Sequence, residues 1–477
     1  MIMARAAWGA LALALALVAA VAAAAAVAIW RARAARGSVA FLHPFTNHGG
    51  GGERVLWVAV AALMRARPEA DVAVYSGDGL TGEQLATRAV ERFGVRVPRA
   101  PRVVPLQTRA LVEDRWYPVA TVLGQSLGSM LMTLEALCRL CPDVFIDTAG
   151  YAFGYPLAAA AGCSVCAYVH YPTVSSDMIA RVRARAGIYN NRGALARTAL
   201  GTHAKLAYYS LLTSAYGACG RRAHAVAANS SWTRAHIEAL WSGGRSRGGV
   251  RLVYPPCDTA ALAALPAARP RERLVLSVAQ FRPEKDQPLQ VRAFAAALRR
   301  ARDAGVQDTH AWWLAVAGAT RNEGDARRAR EVRALSEELG VAEQVQVLAD
   351  VPLEELRDLM RRAAAGLHTM LDEHFGISVV DFMAAAIIPI AHDSAGPRQD
   401  IVGEGSEAGF LARTEEEYAD AIARVLTMAP REYSRVAAEA RVRSARFSEA
   451  GFEGAFLAWL VDEGVLPATC GGTRTPC

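Results

Sequence analysis

The chain has 477 residues, of which 53% are hydrophobic and 21% charged, and its formal net charge is +7. That length exceeds one ordinary hydrophobic core, so two domains are expected. The positive charge comes from arginine, without interleaved aromatic residues or a nucleic-acid motif. This pattern excludes nucleic acid as the expected partner and favours an anionic membrane surface or a phosphorylated substrate.

The N-terminus is strongly apolar. Residues 6–30 contain no charge, and as a helix they would span about 37 Å, enough for a hydrocarbon core of about 30 Å. A cleaved signal peptide is the alternative, but its apolar region usually has only about 7–15 residues. Arg31, Arg33 and Arg36 follow the run and by the positive-inside rule keep the rest of the chain in the cytosol. We therefore expect an uncleaved single-pass anchor in residues 1–36.

Apolar strands alternate with helix-length segments through the rest of the chain. Strands are predicted at residues 38–42, 71–76, 143–147, 164–170 and 225–228, and again at 273–278, 312–317, 345–348, 365–368 and 387–391. Such alternation indicates an α/β protein with parallel sheets. We expect two doubly wound Rossmann-like domains facing a cleft, at residues 37–255 and 256–465. The last helix is expected to cross back to the first domain, and residues 466–477 are expected to form a disordered tail.

Two further segments have alternative interpretations. Cys138-x-x-Cys141 and Cys163-x-x-Cys166 have a spacing close to that of a zinc site. The second pair lies on a predicted buried strand, where alternation separates the ligands, so we expect no metal. Within residues 179–223, five arginines, at positions 181, 183, 185, 192 and 197, precede an apolar helix at 204–218. They could contact a membrane surface or form a solvated basic face beside a packed helix.

Three loops following predicted strands contain candidate binding residues. Gly49-Gly50-Gly51-Gly52 precedes a helix that Glu53 opens, so its backbone could approach a phosphate or sugar, although it could also be a flexible turn. Arg282 and Lys285 could neutralise a leaving diphosphate, or could belong to a surface salt-bridge cluster with Glu284. His170, which ends a predicted strand, could donate a hydrogen bond to a sugar hydroxyl or a phosphate.

A further loop, which contains Glu373, is the most informative. Glu373 lies just before a glycine-containing turn, and Asp381 follows eight positions later, beyond a short helical start. The N–H groups of a helix N-terminus can face a diphosphate, while two carboxylates accept hydrogen bonds from sugar and ribose hydroxyls. This arrangement suits a nucleotide-sugar site.

Taken together, these motifs resemble those of the GT-B retaining glycosyltransferases of the glycogen-phosphorylase-like superfamily. Within it, the chain is similar to the eukaryotic GDP-mannose-dependent α-1,2-mannosyltransferases of dolichol-linked oligosaccharide assembly, over about residues 39–460. The motifs are His43-Pro44, Gly49 to Trp57, Asp143 to Phe153, Tyr168 to Pro172, Asn229 to Thr233, Gln280 to Lys285 and Glu373 to Ile377.

The resemblance implies roles for individual residues. The residues nearest the chemistry would be His170, beside the transferred sugar, Arg282 and Lys285, on the diphosphate, and Glu373, on the mannose hydroxyls. The remaining binding residues would be Gly50 and Gly51 at the reaction centre, the backbone of Phe375, Gly376 and Ile377, and Asp381 on the ribose. Two positions depart from the family pattern. Asp381 replaces the usual glutamate, and Arg282 lies three residues before Lys285, whereas many relatives place it five before, where this chain has Gln280.

The resemblance also implies the reaction. Mannose would pass from GDP-mannose to a dolichol-diphosphate-linked oligosaccharide, as its fourth and fifth mannoses, with retention and without metal or cofactor, since no Asp-x-Asp motif occurs. The enzyme would act on the cytosolic face of the endoplasmic reticulum membrane, beside other mannosyltransferases of the pathway. A related transferase with another donor, such as UDP-glucose, or another lipid acceptor remains an alternative, as does a catalytically silent membrane scaffold.

Overall fold

The structure is a computed structural model that describes residues 19–34, 37–173, 199–246, 248–266, 270–405 and 407–467. It divides into two compact units. The first comprises Met1–Asn229, Thr233–Val253 and Glu453–Cys477, and the second comprises Ser230–Trp232 and Tyr254–Phe452.

The first unit contains a seven-stranded parallel sheet in the order β3-β2-β1-β4-β5-β6-β7. The central strand β1 is buried at all four residues, as expected for a parallel sheet covered by helices on both faces. Its strands are β1 (Val39–Leu42), β2 (Val72–Ser76), β3 (Arg102–Pro105), β4 (Val144–Asp147), β5 (Ser164–Val169), β6 (Ala225–Ala228) and β7 (Val250–Leu252).

Helices lie between these strands. The helix after β1 is buried along every residue from Val55 to Met64, so it forms part of the core rather than a half-exposed surface. The helices of this part of the chain are α1 (residues 19–31), α2 (Gly51–Ala66), α3 (Gly82–Phe93), α4 (Thr121–Arg139), α5 (Tyr155–Ala160), α6 (Ala199–Gly220) and α7 (Ser231–Leu240).

The second unit contains a six-stranded parallel sheet in the order β10-β9-β8-β11-β12-β13. Its strands are β8 (Glu272–Val278), β9 (Trp313–Gly318), β10 (Val345–Ala349), β11 (Ala363–His368), β12 (Ile388–His392) and β13 (Phe410–Ala412). The helices from here to the end of the chain are α8 (Thr259–Ala263), α9 (Gln287–Asp303), α10 (Glu323–Glu338), α11 (Leu353–Arg362), α12 (Ile377–Ala384), α13 (Glu415–Thr427), α14 (Pro430–Ser444) and α15 (Glu449–Asp462).

The predicted α/β architecture with two Rossmann-like sheets is confirmed. Each of the ten predicted strands is present to within two residues. The prediction missed β3, β7 and β13, which all lie at sheet edges and are three or four residues long. Each has at least two residues that are not buried, so these strands lack the continuous apolar run that marks a central strand.

Several expectations fall partly outside the described residues. Among the helices that the structure describes, none is long and apolar enough to span a bilayer. Residues 1–18, 35 and 36 of the expected anchor lie outside the described residues. The arginines expected to contact a membrane, at positions 181–197, also lie outside the described residues, as does most of the expected tail, residues 468–477. The apolar helix expected at residues 204–218 lies within α6.

Candidate active site

In the first unit, the glycine loop is tied to the helix that it precedes. Gly50 is the extended N-cap of α2, and the buried carboxylate of Glu53 accepts hydrogen bonds from the backbone N–H groups of His48 and of Gly49, the latter at 2.9 Å. Burial raises the pKa of Glu53. Gly49 has a φ of +75°, a conformation that glycine adopts without strain. The N-terminus of α2, where the first N–H groups of a helix lack partners within the helix, is therefore fixed in position.

Two histidines lie against this loop. A Cβ added at Gly52 would be 3.7 Å from His170 Nε2 and 3.8 Å from His43 Cε1, so the absence of a side chain leaves room in front of both rings. His170 Nε2 lies 3.1 Å from the carbonyl oxygen of Thr148, and His43 Nδ1 lies 2.9 Å from the Thr148 hydroxyl. Burial, together with the charges of His170 and His48, lowers the pKa of His43 to about 3, so its ring is neutral.

The loop that holds Thr148 is organised by a buried acid. Asp147 ends β4 and accepts hydrogen bonds from the N–H groups of Ala149, Gly150 and Tyr151 and from the Tyr155 hydroxyl, at 2.6–3.0 Å. Its burial raises its pKa, which these hydrogen bonds counteract. Asp147 therefore fixes the turn on which Thr148 contacts both histidines. The sequence motif contained Asp147, but this orienting role was not predicted.

In the second unit, Lys285 and Glu373 form an ion pair. Lys285 Nζ lies 2.5 Å from Glu373 Oε2 and 3.1 Å from the Met370 sulfur. His368 Nε2 lies 3.0 Å from the same carboxylate oxygen. Burial would raise the pKa of Glu373, but the attraction of Lys285 and the hydrogen bond to His368 outweigh it and hold the pKa well below its usual range. Glu373 is therefore an anion whose second oxygen, Oε1, is left to accept a hydroxyl.

The backbone after Glu373 turns sharply into α12. Gly376 is the N-cap of that helix with a φ of +111°, which disfavours any residue with a side chain. Gly396 approaches so closely that an added Cβ would be 2.5 Å from the Phe375 carbonyl oxygen, and its N–H donates to the Glu373 carbonyl oxygen at 3.0 Å. Phe375 is buried against Tyr254. The helix start, with Ile377 as its first residue, is thus held beside Glu373.

Two further predicted residues of this unit are Arg282 and Asp381. Arg282 Nε pairs with Glu284 at 2.7 Å, and both side chains are well exposed, which is the surface ion pair considered as the alternative. Asp381 lies in the middle of α12 and is half-buried. Lys285, Glu373 and the Phe375 to Ile377 backbone therefore form the compact part of the predicted site in this unit.

Sequence reasoning also missed several neighbours. His368 was not predicted, because a histidine at the end of an apolar strand has no characteristic motif. Trp232 and His374 lie within two of the sequence motifs but were given no role, and their rings stack with centroids 5.4 Å apart. Burial lowers the pKa of His374 to about 4. Beside this stack, a cavity of about 420 Å³ is lined by Trp232, Leu371, His392, Asp393, Ser394, Ala395, Arg398, Gln399 and Arg413.

The cysteines do not assemble into a metal site in the part of the chain that the structure describes. Within those ranges no group of three or more histidine, cysteine or acidic side chains is placed to hold an ion. Cys141 and Cys163 have their sulfurs 3.8 Å apart, and Cys166 is buried in β5.

Solved structures share this architecture. Anabaena HepE in complex with UDP and glucose aligns over 89% of this chain and 99% of its own with a TM-score of 0.58 and 16% identity. The trehalose-6-phosphate synthase OtsA aligns over 91% of this chain and 99% of its own, with a TM-score of 0.64 and 12% identity. These identities establish the fold alone. Two Rossmann-like units with these neighbours define the GT-B fold.

Sequence comparison identifies the family. Residues 36–241 match the N-terminal region of the ALG11 mannosyltransferases, and residues 264–443 match the glycosyl transferases of group 1. The mouse and human proteins called GDP-Man:Man(3)GlcNAc(2)-PP-Dol alpha-1,2-mannosyltransferase are each 44% identical over 88% of this chain and 85% of their own length. The Dictyostelium discoideum protein of that name is 37% identical over 89% of this chain and 84% of its own length. The chain belongs to the ALG11 mannosyltransferase family.

Proposed function

We propose that this protein is a retaining α-1,2-mannosyltransferase that moves mannose from GDP-mannose to a dolichol-diphosphate-linked oligosaccharide, adding the fourth and fifth mannoses. The observation that supports this most strongly is the 44% identity to the mouse and human enzymes over 88% of the chain. At that level both the fold and the residues around a site are usually shared, so the reaction printed in those names is the one to test.

The second unit is proposed to bind the donor. Glu373 is a largely buried anion with Oε2 already held by Lys285 and His368, so Oε1 would accept a mannose hydroxyl in a fixed direction. The N-terminus of α12 at Gly376 and Ile377 would face the diphosphate with its N–H groups. Asp381, further along the same helix, would bind the ribose, and Arg282 would reach the diphosphate only after leaving Glu284.

The first unit is proposed to provide the face on which transfer occurs. Gly50 and Gly51 begin α2 without side chains, so a sugar can approach the helix N-terminus closely. His170 Nε2 donates to the Thr148 carbonyl oxygen, so its other ring nitrogen, Nδ1, would accept a hydrogen bond from a hydroxyl of the transferred sugar. The orientation of both features by Asp147 and Glu53 supports a site that is organised in advance, which favours transition-state stabilisation.

Retention is proposed to follow a front-face course. The bond from mannose to the diphosphate breaks while the acceptor hydroxyl attacks the same face, and the departing phosphate takes the proton of that hydroxyl. Lys285 and the α12 N-terminus would stabilise the charge that develops on the leaving diphosphate. No metal or other cofactor is proposed, and the donor diphosphate would be neutralised by protein groups alone.

The location is proposed from the acceptor and the N-terminus. A dolichol-linked acceptor stays in the membrane, so an anchor in residues 1–36 would confine the enzyme beside it and raise the effective concentration. We propose the cytosolic face of the endoplasmic reticulum, with the basic residues of 179–223 contacting anionic lipid and other mannosyltransferases of the pathway as neighbours. Deleting residues 1–36 should weaken sedimentation with membranes more than it weakens donor hydrolysis; unchanged sedimentation would contradict the anchor.

The function is tested by transfer to a synthetic lipid-linked acceptor that carries three mannoses. Purified protein in detergent is given this acceptor with GDP-mannose or, as a matched control, with UDP-glucose. We expect release of GDP and products one and two hexoses heavier, which an α-1,2-specific mannosidase returns to the starting acceptor. Release of UDP instead would indicate another donor specificity. A folded protein that transfers neither sugar would support the alternative of a catalytically silent membrane scaffold.

A further inference from the structure

Helix α4 (Thr121–Arg139) in the first unit is apolar on two sides. One side, which includes Met132, Ala136 and Leu137, is buried in the core of the unit. The other exposes Leu123, Leu127 and Leu131, at 41%, 55% and 53% of their surface. Because these leucines are four residues apart, they form one stripe along the helix. A surface helix usually places polar residues on its outer side, so this stripe needs an apolar partner.

The stripe continues into an apolar groove. Leu134, the next residue on the same face, lines a groove of about 730 Å³ between α1, α4 and α5. Arg33 is the one charged residue among those lining it, which are Val21, Ala22, Ala25, Ala26, Ile29, Trp30, Arg33, Leu134, Leu157, Ala160 and Ala161. Val21, Val27 and Trp30 of α1 are exposed beside it. The C-terminal half of α4 therefore lies next to a second apolar helix.

A third helix extends the surface at the other end of α4. The backbone N–H of Leu123 donates to the Tyr208 hydroxyl of α6 at 3.2 Å, so the two helices touch there. On α6, Leu211 is exposed, as are Val119 and Trp116 just before α4. The exposed leucines of α4 thus lie between two helices that also present large apolar side chains to solvent.

The border of this surface favours a lipid bilayer over a protein partner. Arg31 ends α1 next to Trp30, and Arg33 follows two residues later. The Arg115 guanidinium lies 5.4 Å from the ring of Trp116. Tryptophan and arginine are enriched at membrane–water interfaces, where the ring lies at the headgroup level and the cation meets anionic lipid. Leucine in the middle with tryptophan and arginine at the edge is the arrangement of an interfacial helix.

We propose that this face, formed by Leu123, Leu127 and Leu131 together with the groove at Leu134, docks into the hydrocarbon of a bilayer leaflet. The choice of a bilayer rests partly on the proposed function, since the acceptors named for the relatives are linked to PP-Dol. The docking surface lies in described residues of the first unit. Its leucines belong to α4, outside the expected anchor, whereas the groove is lined in part by residues 21–30 of that anchor. It would set the orientation of that unit at the membrane, where a single flexible attachment would leave it free to turn.

The first experiment locates the surface directly. Benzoylphenylalanine is placed at Leu127 of the full-length protein, bound to vesicles of phosphatidylcholine with phosphatidylserine, and activated by light. The matched control carries the same group at Val442, an exposed apolar position on α14. We expect the yield of lipid adducts at position 127 to be about tenfold or more above the yield at position 442, because position 127 would be buried in hydrocarbon. Equal yields, or an adduct to a second protein chain at 127, overturn the proposal, whatever holds the protein on the vesicle.

The second experiment separates docking from catalysis. A triple variant, Leu123→Ser, Leu127→Ser and Leu131→Ser, is compared with Val442→Ser in transfer to the lipid-linked acceptor, in vesicles and in detergent. We expect transfer in vesicles to fall about tenfold or more while transfer in detergent is unchanged. If the triple variant loses no more transfer activity in vesicles than in detergent, each measured relative to the unmodified protein, the docking proposal is overturned. Absence of transfer by the unmodified protein in detergent contradicts the proposed function instead, and the photochemical comparison still decides docking.

Discussion

The ion pair between Lys285 and Glu373 allows a catalytic role to be separated from a structural one. Their side chains are 22% and 13% exposed, so each charge is largely removed from water. Replacing one partner of a buried pair leaves the other charge uncompensated, at a cost of about 3–5 kcal/mol. Because both groups keep some exposure and His368 still contacts the carboxylate, we expect Lys285→Met to destabilise the fold by about 2–3 kcal/mol.

Replacing both partners should restore much of that stability but not the activity. In the double variant Lys285→Met with Glu373→Gln, no charge is left uncompensated, so about 1–2 kcal/mol should be recovered. The leaving diphosphate has still lost its cation, so kcat should stay lower by about 10²–10³-fold in both variants. Urea unfolding measures the first quantity, and initial rates with GDP-mannose measure the second.

The pH dependence provides an internal control. In the unmodified protein the depressed pKa of Glu373 stabilises the fold above its unfolded value of 4.5, and this contribution is lost as the pH falls further. In Lys285→Met the main attraction is gone, so burial raises the pKa of Glu373. The difference in the free energy of unfolding between this variant and the unmodified protein should therefore shrink on acidification. Transfer that recovers in the double variant, or is near normal in the single one, would refute leaving-group stabilisation by Lys285.

Three further predictions concern the residues around the site. Protonation linked to His43 should lower the free energy of unfolding by about 2.5 kcal/mol between pH 7 and 4.5, because the pKa of His43 falls from 6.5 to about 3 on folding and the unfolded chain binds the proton more readily. A flatter pH profile of urea unfolding in His43→Gln would support this, and an identical profile would not. Gly52→Ala should leave the fold intact but reduce transfer about 10–100-fold, because the added methyl group fills the space in front of His170. The control Gly454→Ala, with open space around the residue, should leave the rate of transfer unchanged. Equal rates in the two variants would argue against a site at the glycine loop. Gly396→Ala should raise the KM for GDP-mannose about tenfold by displacing the Phe375 carbonyl, and a lower kcat at constant KM would show that this contact does not position the donor.

Some of the site was predictable because its signals are local. The glycine run at 49–52 and the Gly376 turn both follow apolar strands, and glycine is favoured where a backbone has positive φ or must pass close to a ligand. Lys285 and Glu373 were predicted as members of one site from motif resemblance, and they are in contact. Arg282 was predicted beside them but pairs with its neighbour Glu284, because spacing in sequence does not fix the direction of a long, exposed side chain.

The sequence by itself determined the alternation of strands and helices, because burial on both faces of a parallel strand requires a continuous apolar run that is visible locally. It could not determine which groups meet across the fold. The contact of Glu373 with a lysine 88 residues away, and the exposure of three leucines on an otherwise core-forming helix, depend on how distant segments pack. Only the tertiary structure decides these, since the energy of a contact depends on distance in space and not on separation along the chain.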